Sequence, residues 1–157
     1  MRNKILLSAL LAFLAILAVA FIPKDKNLQI EANSNPEAEP GIRFIEADWN
    51  KALAEAKKQH KLIFLYAYAS WCGSSKLFKK KTFPDKEAGE FFNANYINVA
   101  IDMEKGDGPA LGEKFAVNAY PTLIITDADG NILTYTKGYM NAKQLIEFGE
   151  QGLKQKK

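Results

Sequence analysis

Eight consecutive residues, Leu62-Ile63-Phe64-Leu65-Tyr66-Ala67-Tyr68-Ala69, carry no charged or amide side chain. Successive side chains of a strand point to opposite faces, so a half-exposed strand alternates apolar and polar residues. This run does not alternate. It predicts a central strand covered on both faces, as in sheets packed between helices. The flanking sequence supplies the cover. Asp48 is placed to cap a helix over residues 49–59, with Trp49, Ala52, Leu53 and Ala56 on its apolar side and Lys51, Lys57 and Lys58 on its wet side. A second helix follows residue 72 and runs to about Lys81. Thr82-Phe83-Pro84-Asp85 breaks it, and Asp85 is placed to cap a further segment over residues 86–93. Residues 42–45 read as a short edge strand, and 96–101, 123–126 and 132–136 as further strands. The last two are joined by the turn Asp127-Ala128-Asp129-Gly130-Asn131. Pro109 opens a short helix to Phe115, and Asn141 caps a final helix with Leu145, Ile146 and Phe148 turned inward. The order β-α-β-α-β-α-β-β-α implies an α/β fold. Its mixed central sheet has parallel strands first, an antiparallel hairpin last, and helices on its flanks.

The N-terminus reads differently. Met1-Arg2-Asn3-Lys4 is basic, residues 5–22 are apolar except for Ser8, and Ala18-Val19-Ala20 is a small-x-small cleavage pattern. Residues 1–22 therefore read as a secretory signal peptide or as an uncleaved N-terminal membrane anchor, since 18 helical residues span most of a bilayer core. Either reading leaves the positive end in the cytoplasm and the rest outside it, in the periplasm or cell envelope. Residues 23–40 are polar, with Pro23, Pro36 and Pro40, and read as a flexible linker. The folded domain is expected over residues 41–157. The formal charge is +3; without Arg2 and Lys4 it is 19 basic against 18 acidic residues, which gives no electrostatic case for nucleic acid. One cysteine and one histidine exclude an internal disulfide and a cysteine–histidine zinc site, and nothing in the sequence calls for a metal or a cofactor. His60, at the end of a helix, reads as a surface residue. The acids of residues 102–108 lack the calcium-loop spacing and read as a solvated loop.

The single cysteine lies in Trp71-Cys72-Gly73-Ser74-Ser75-Lys76, between the apolar strand and the following helix. A helix start favours a thiolate through its dipole and free N–H groups, and Lys76 adds charge one turn on. A buried, inert cysteine is the competing reading of a lone residue of this kind.

These residues resemble the thioredoxin-like superfamily. Trp71-Cys72-Gly73 and Lys76 match the active-site run Trp-Cys-Gly-Pro-Cys-Lys at four of six places, with Ser74 for the proline and Ser75 for the second cysteine. Tyr120-Pro121-Thr122 sits where the family has its cis-proline, and Gly138 where it has a glycine after the last strand. The segment from Trp71 through Thr82-Phe83-Pro84-Asp85 is most similar to exported thioredoxin-like domains, such as the C-terminal domain of the transmembrane thiol-disulfide interchange protein. The resemblance implies a thioredoxin fold and thiol-disulfide exchange. In two-cysteine members the first thiolate attacks a substrate disulfide and the second thiol resolves the mixed disulfide. Here Cys72 matches the attacking residue, and no resolving thiol is present. The family's buried acid falls at Tyr66 and its nearby lysine at Asn98, which agrees with the loss of the second thiol.

The expected chemistry is thus mixed-disulfide formation by Cys72, with Ser75 and the backbone of Gly73 and Ser74 donating to the thiolate. Trp71, Tyr120, Pro121 and Thr122 would line a groove for an extended partner. The implied partners are protein or small-molecule thiols and disulfides, with a membrane-bound redox partner as one option. The alternatives are a non-catalytic binding module, a degenerate redox domain with Lys79-Lys80-Lys81 as a docking patch, and a Cys-to-Ser variant of a two-cysteine reductase.

Overall fold

The computed structural model describes residues 40–156. The leader at 1–22 and nearly all of the linker at 23–40 lie outside them. Five strands form one sheet: β1 (Ile45–Glu46), β2 (Leu62–Tyr68), β3 (Tyr96–Asp102), β4 (Thr122–Thr126) and β5 (Ile132–Lys137), in the spatial order β1-β3-β2-β4-β5. β3 is parallel to both β1 and β2, whereas β4 is antiparallel to β2 and to β5. The apolar run is therefore the central strand, as its lack of alternation requires. β1 forms one edge, two residues long and displaced toward Glu46 from the stretch expected to hold it.

Strand alternation divides the core in two. Phe64 and Tyr66 face Phe78, Phe92, Tyr96, Leu145 and Phe148 on one side. Ile63 and Leu65 face Trp49, Ala52, Val99, Leu111, Phe115 and Ile124 on the other. Burying a large apolar side chain completely contributes about 1.5–3 kcal/mol, so β2 contributes to both layers at once. The first helix, α1 (Trp49–Gln59), is capped by the Asp48 carboxylate accepting from Lys51 N–H at 2.8 Å. His60 is exposed at its C-terminus. α2 (Gly73–Leu77) runs into a π-helical turn, Phe78–Thr82, closed by Phe83 N–H donating to Phe78 O at 3.0 Å. That wide turn stacks Phe78 on Phe83, centroids 5.1 Å apart, and brings the Thr82 hydroxyl to donate to Met140 O at 2.8 Å. α3 (Lys86–Asn95) is capped by Asp85, α4 (Gly108–Lys114) opens with Pro109, and α5 (Ala142–Lys154) carries a reciprocal capping box between Asn141 and Gln144. α1 and α4 cover one face of the sheet, and the π-helical turn, α3 and α5 the other.

Candidate functional site

β2 delivers the chain to the site. After Tyr68 it turns, closed by Cys72 N–H to Ala69 O at 3.1 Å, and Lys76 N–H to Cys72 O at 3.1 Å begins α2. Cys72 is the N-cap of α2 and is half-buried. The Ser75 N–H is the foremost influence holding its thiol below the usual range. Partial burial opposes this, and the Ser75 hydroxyl, the Ser74 N–H and the Lys76 ammonium reinforce it. In the thiol form Cys72 Sγ donates to Tyr120 O at 3.4 Å, and the Ser75 hydroxyl, 2% exposed, has no hydrogen-bond partner.

Beneath the site, Tyr66 is fully buried and its hydroxyl donates to Ser75 O at 2.9 Å. Desolvation pushes that phenol well above its ordinary value, so it stays protonated at any physiological pH and cannot serve as a base. The sheet register sets Ala100, not Asn98, opposite Tyr66. Asn98 Nδ2 donates to Arg43 O and Asn93 Oδ1, both at 3.2 Å.

The structure brings Trp71, Cys72 and Tyr120 together. Trp71 is 64% exposed, its ring meets Tyr120 edge-on at 6.0 Å, and its Nε1–H donates to Glu104 Oε2 at 2.8 Å. Gly73 and Ser74 are exposed, and a Cβ on Gly73 would meet open space. The Tyr120–Pro121 peptide bond is cis. Pro121 is buried, and its carbonyl accepts from Gly138 N–H at 2.9 Å. Thr122 is drawn into the sheet: it is 3% exposed, lies in register between Ala67 and Lys137, and its hydroxyl donates to Ala119 O. Two residues escaped the sequence reading. Glu104 and Asp102 belong to the loop read as solvated, yet Glu104 holds Trp71 and Asp102 is buried. Burial pushes the Asp102 carboxyl up, but the Glu104 N–H and the Lys105 ammonium more than offset this and hold it below the usual range. No spacing signal marks Glu104, because its contact with Trp71 crosses 33 positions of chain.

A family model described as "Thioredoxin-like domain" matches residues 49–153. The chain is 32% identical over 95 residues to the thiol:disulfide interchange protein DsbD of Yersinia pestis, which is 59% of this chain and 16% of that protein. It thus spans about a sixth of the length of these curated relatives. Among solved structures, a candidate disulphide-isomerase from Bacteroides thetaiotaomicron is 33% identical with a TM-score of 0.66, covering 75% of this chain and 98% of that one. The C-terminal domain of DsbD from Neisseria meningitidis has a TM-score of 0.58 at 24% identity, covering 69% of this chain and 98% of that one, a likeness of fold.

Proposed function

Because the chain belongs to the thioredoxin-like domain family, we propose that it performs thiol-disulfide exchange through the single nucleophile Cys72, outside the cytoplasm. The observation that carries this reading is the donor set around Cys72: the Ser75 and Ser74 N–H groups, the unpartnered Ser75 hydroxyl and the Lys76 charge all favour its thiolate. The thiolate attacks one sulfur of a substrate disulfide. A bond forms from Cys72 Sγ to that sulfur, the substrate S–S bond breaks, and the departing thiolate carries the electron pair. The chain has one cysteine, so an external thiolate must attack the mixed disulfide to release Cys72. That suits disulfide shuffling or client retention better than net reduction. Trp71 and Tyr120 supply an apolar rim for the partner. The basic start and apolar run at residues 1–22 support export, as a cleaved signal or a membrane anchor.

The test is the rate of Cys72 alkylation at pH 6 against that of a free cysteine peptide. Faster reaction of the protein is expected; equal or slower reaction overturns the proposal. The exposed Trp71 beside Tyr120 favours a second reading, a binding module that needs no thiol. Cys72→Ala separates the two: partner capture that survives the substitution supports the module, and capture that is lost supports exchange.

A further inference from the structure

β5 leaves one edge of the sheet open. It ends the strand order, and among the described residues no strand pairs with its outer side. Gly138 N–H donates to Pro121 O, and with the register this makes Thr134 and Thr136 the residues whose backbone groups meet β4. The N–H and C=O of Tyr135 and Lys137 therefore point outward. We propose that this edge pairs antiparallel with β5 of a second copy of the chain, about a two-fold axis at Thr136, so that the sheet continues across the axis.

The first support is the lack of protection. Sheet edges are ordinarily kept short, charged or interrupted by proline. The opposite edge, β1, has two residues. β5 has six, and its only charge is Lys137 at the end. Ile132 and Tyr135, 44% and 59% exposed, both lie on it. Alongside, Thr134, Thr136, Met140, Gln144 and Phe148 line a groove of about 370 Å³ between β5 and α5, which has room for the side chains of an added strand.

The second support is self-complementarity, which a two-fold interface requires. Thr134 and Thr136 pair with Ile125 and Leu123 and so point to the α5 side. Tyr135 pairs with Ile124 and points, with Lys137, to the other side. An axis at Thr136 sets Thr136 against its own copy and, twice over, Lys137 against Tyr135. Each outward N–H then meets an outward C=O. Lys137 Nζ already lies 5.9 Å from the centroid of the Tyr135 ring in its own strand, so the pairing gives the cation a second aromatic neighbour. Other axes are worse. An axis at Lys137 opposes two ammonium groups. An axis at Tyr135 or Thr134 runs the pairing into Leu133, which the register skips between Ile132 and Thr134. Charge and register thus select one alignment. Its contact area falls at the small end of specific interfaces, below about 1,200 Å², so the dimer is weak and depends on concentration.

The test uses the full chain with Cys72→Ala, so that an introduced cysteine is the only one and the outcome is independent of the exchange reading. Two copies of Thr136→Cys meet as a non-hydrogen-bonded pair, with Cα atoms about 4.5 Å apart, inside the range that a disulfide spans. Thr134 lies on the same face but opposes Gly138, which leaves two copies of Thr134→Cys about 13 Å apart along the strand. Under mild oxidation Thr136→Cys is expected to cross-link on the order of tenfold faster than Thr134→Cys. Equal rates mean random collision, and a faster Thr134→Cys means another register; either overturns the proposal. Tyr135→Lys sets ammonium groups opposite each other at two places and is expected to slow Thr136→Cys cross-linking by about tenfold. Adding Lys137→Glu makes those pairs opposite in charge and is expected to restore the rate. A rate that Tyr135→Lys leaves unchanged, or that Lys137→Glu does not restore, overturns the alignment. Sedimentation of Cys72→Ala alone is expected to show a monomer–dimer equilibrium that Tyr135→Lys abolishes; a monomer at every concentration up to about 1 mM overturns the dimer.

Discussion

At the residue scale, the proposed exchange depends on the protonation of one sulfur. The folded Cys72 thiol ionises more readily than an unfolded one. A depressed folded value contributes stability that is fully present above the unfolded thiol's pKa, about 8.5, and that is lost as the pH falls through the folded value. The wild type is therefore expected to gain unfolding free energy over Cys72→Ala as the pH rises across that window, measured by denaturant melts at several pH values. A flat difference would mean that the donors around Sγ do not act on it. Tyr66 is the second decisive residue. Its hydroxyl ties β2 to the carbonyl of Ser75, which Phe78 N–H also approaches within the helix. Tyr66→Phe is expected to cost about 1 kcal/mol and to leave alkylation of Cys72 at pH 6 within twofold, because the phenol holds the helix and carries no proton in the reaction. A large loss of reactivity would assign the phenol a direct part.

At the scale of elements, α5 shows a conflict resolved by packing. Its sequence contains Gly149 and Gly152, each costing about 1 kcal/mol in a helix interior relative to alanine. A Cβ at Gly149 would stand 2.5 Å from Phe91 Cε1, and one at Gly152 would stand 2.4 Å from Ile125 Cδ1. The Tyr96 hydroxyl also donates to Gly149 O at 2.6 Å. The glycines let α5 approach α3 and the sheet closely. Gly149→Ala is accordingly expected to destabilise by about 1–3 kcal/mol despite its better helix propensity, read from the shift of a urea midpoint; a stabilised variant would refute the close approach. The caps, by contrast, were legible beforehand: Asp48, Asp85 and Asn141 each bond the N–H group that a cap must satisfy. Cap chemistry is local, so it reads directly from residues three apart.

At the scale of the molecule, β2 joins both cores and also ends at the cysteine. Phe64 is fully buried between the rings of Phe92 and Phe44. Phe64→Ala is expected to cost about 3–5 kcal/mol, a large share of the 5–15 kcal/mol typical of a domain, in chemical unfolding followed by tryptophan fluorescence. A cost below 1 kcal/mol would mean that the core around β2 is not the one described. The sequence by itself determined the central strand, the helices capped by Asp48, Asp85 and Asn141, the mixed sheet and the position of Cys72 at a strand-to-helix junction, but not that the helix after Cys72 ends at Leu77 in a π-helical turn. All of these follow from periodicity, from capping residues a few positions away, or from an uninterrupted apolar run. Only the tertiary structure decided that Glu104 holds Trp71, that Ala100 and not Asn98 pairs with Tyr66, that Thr122 belongs to the sheet, and that the Ser75 hydroxyl is buried without a partner. The physical reason is distance along the chain. These arrangements depend on strand register and on loops meeting across tens of residues, where no local periodicity or capping preference reports which side chains will touch.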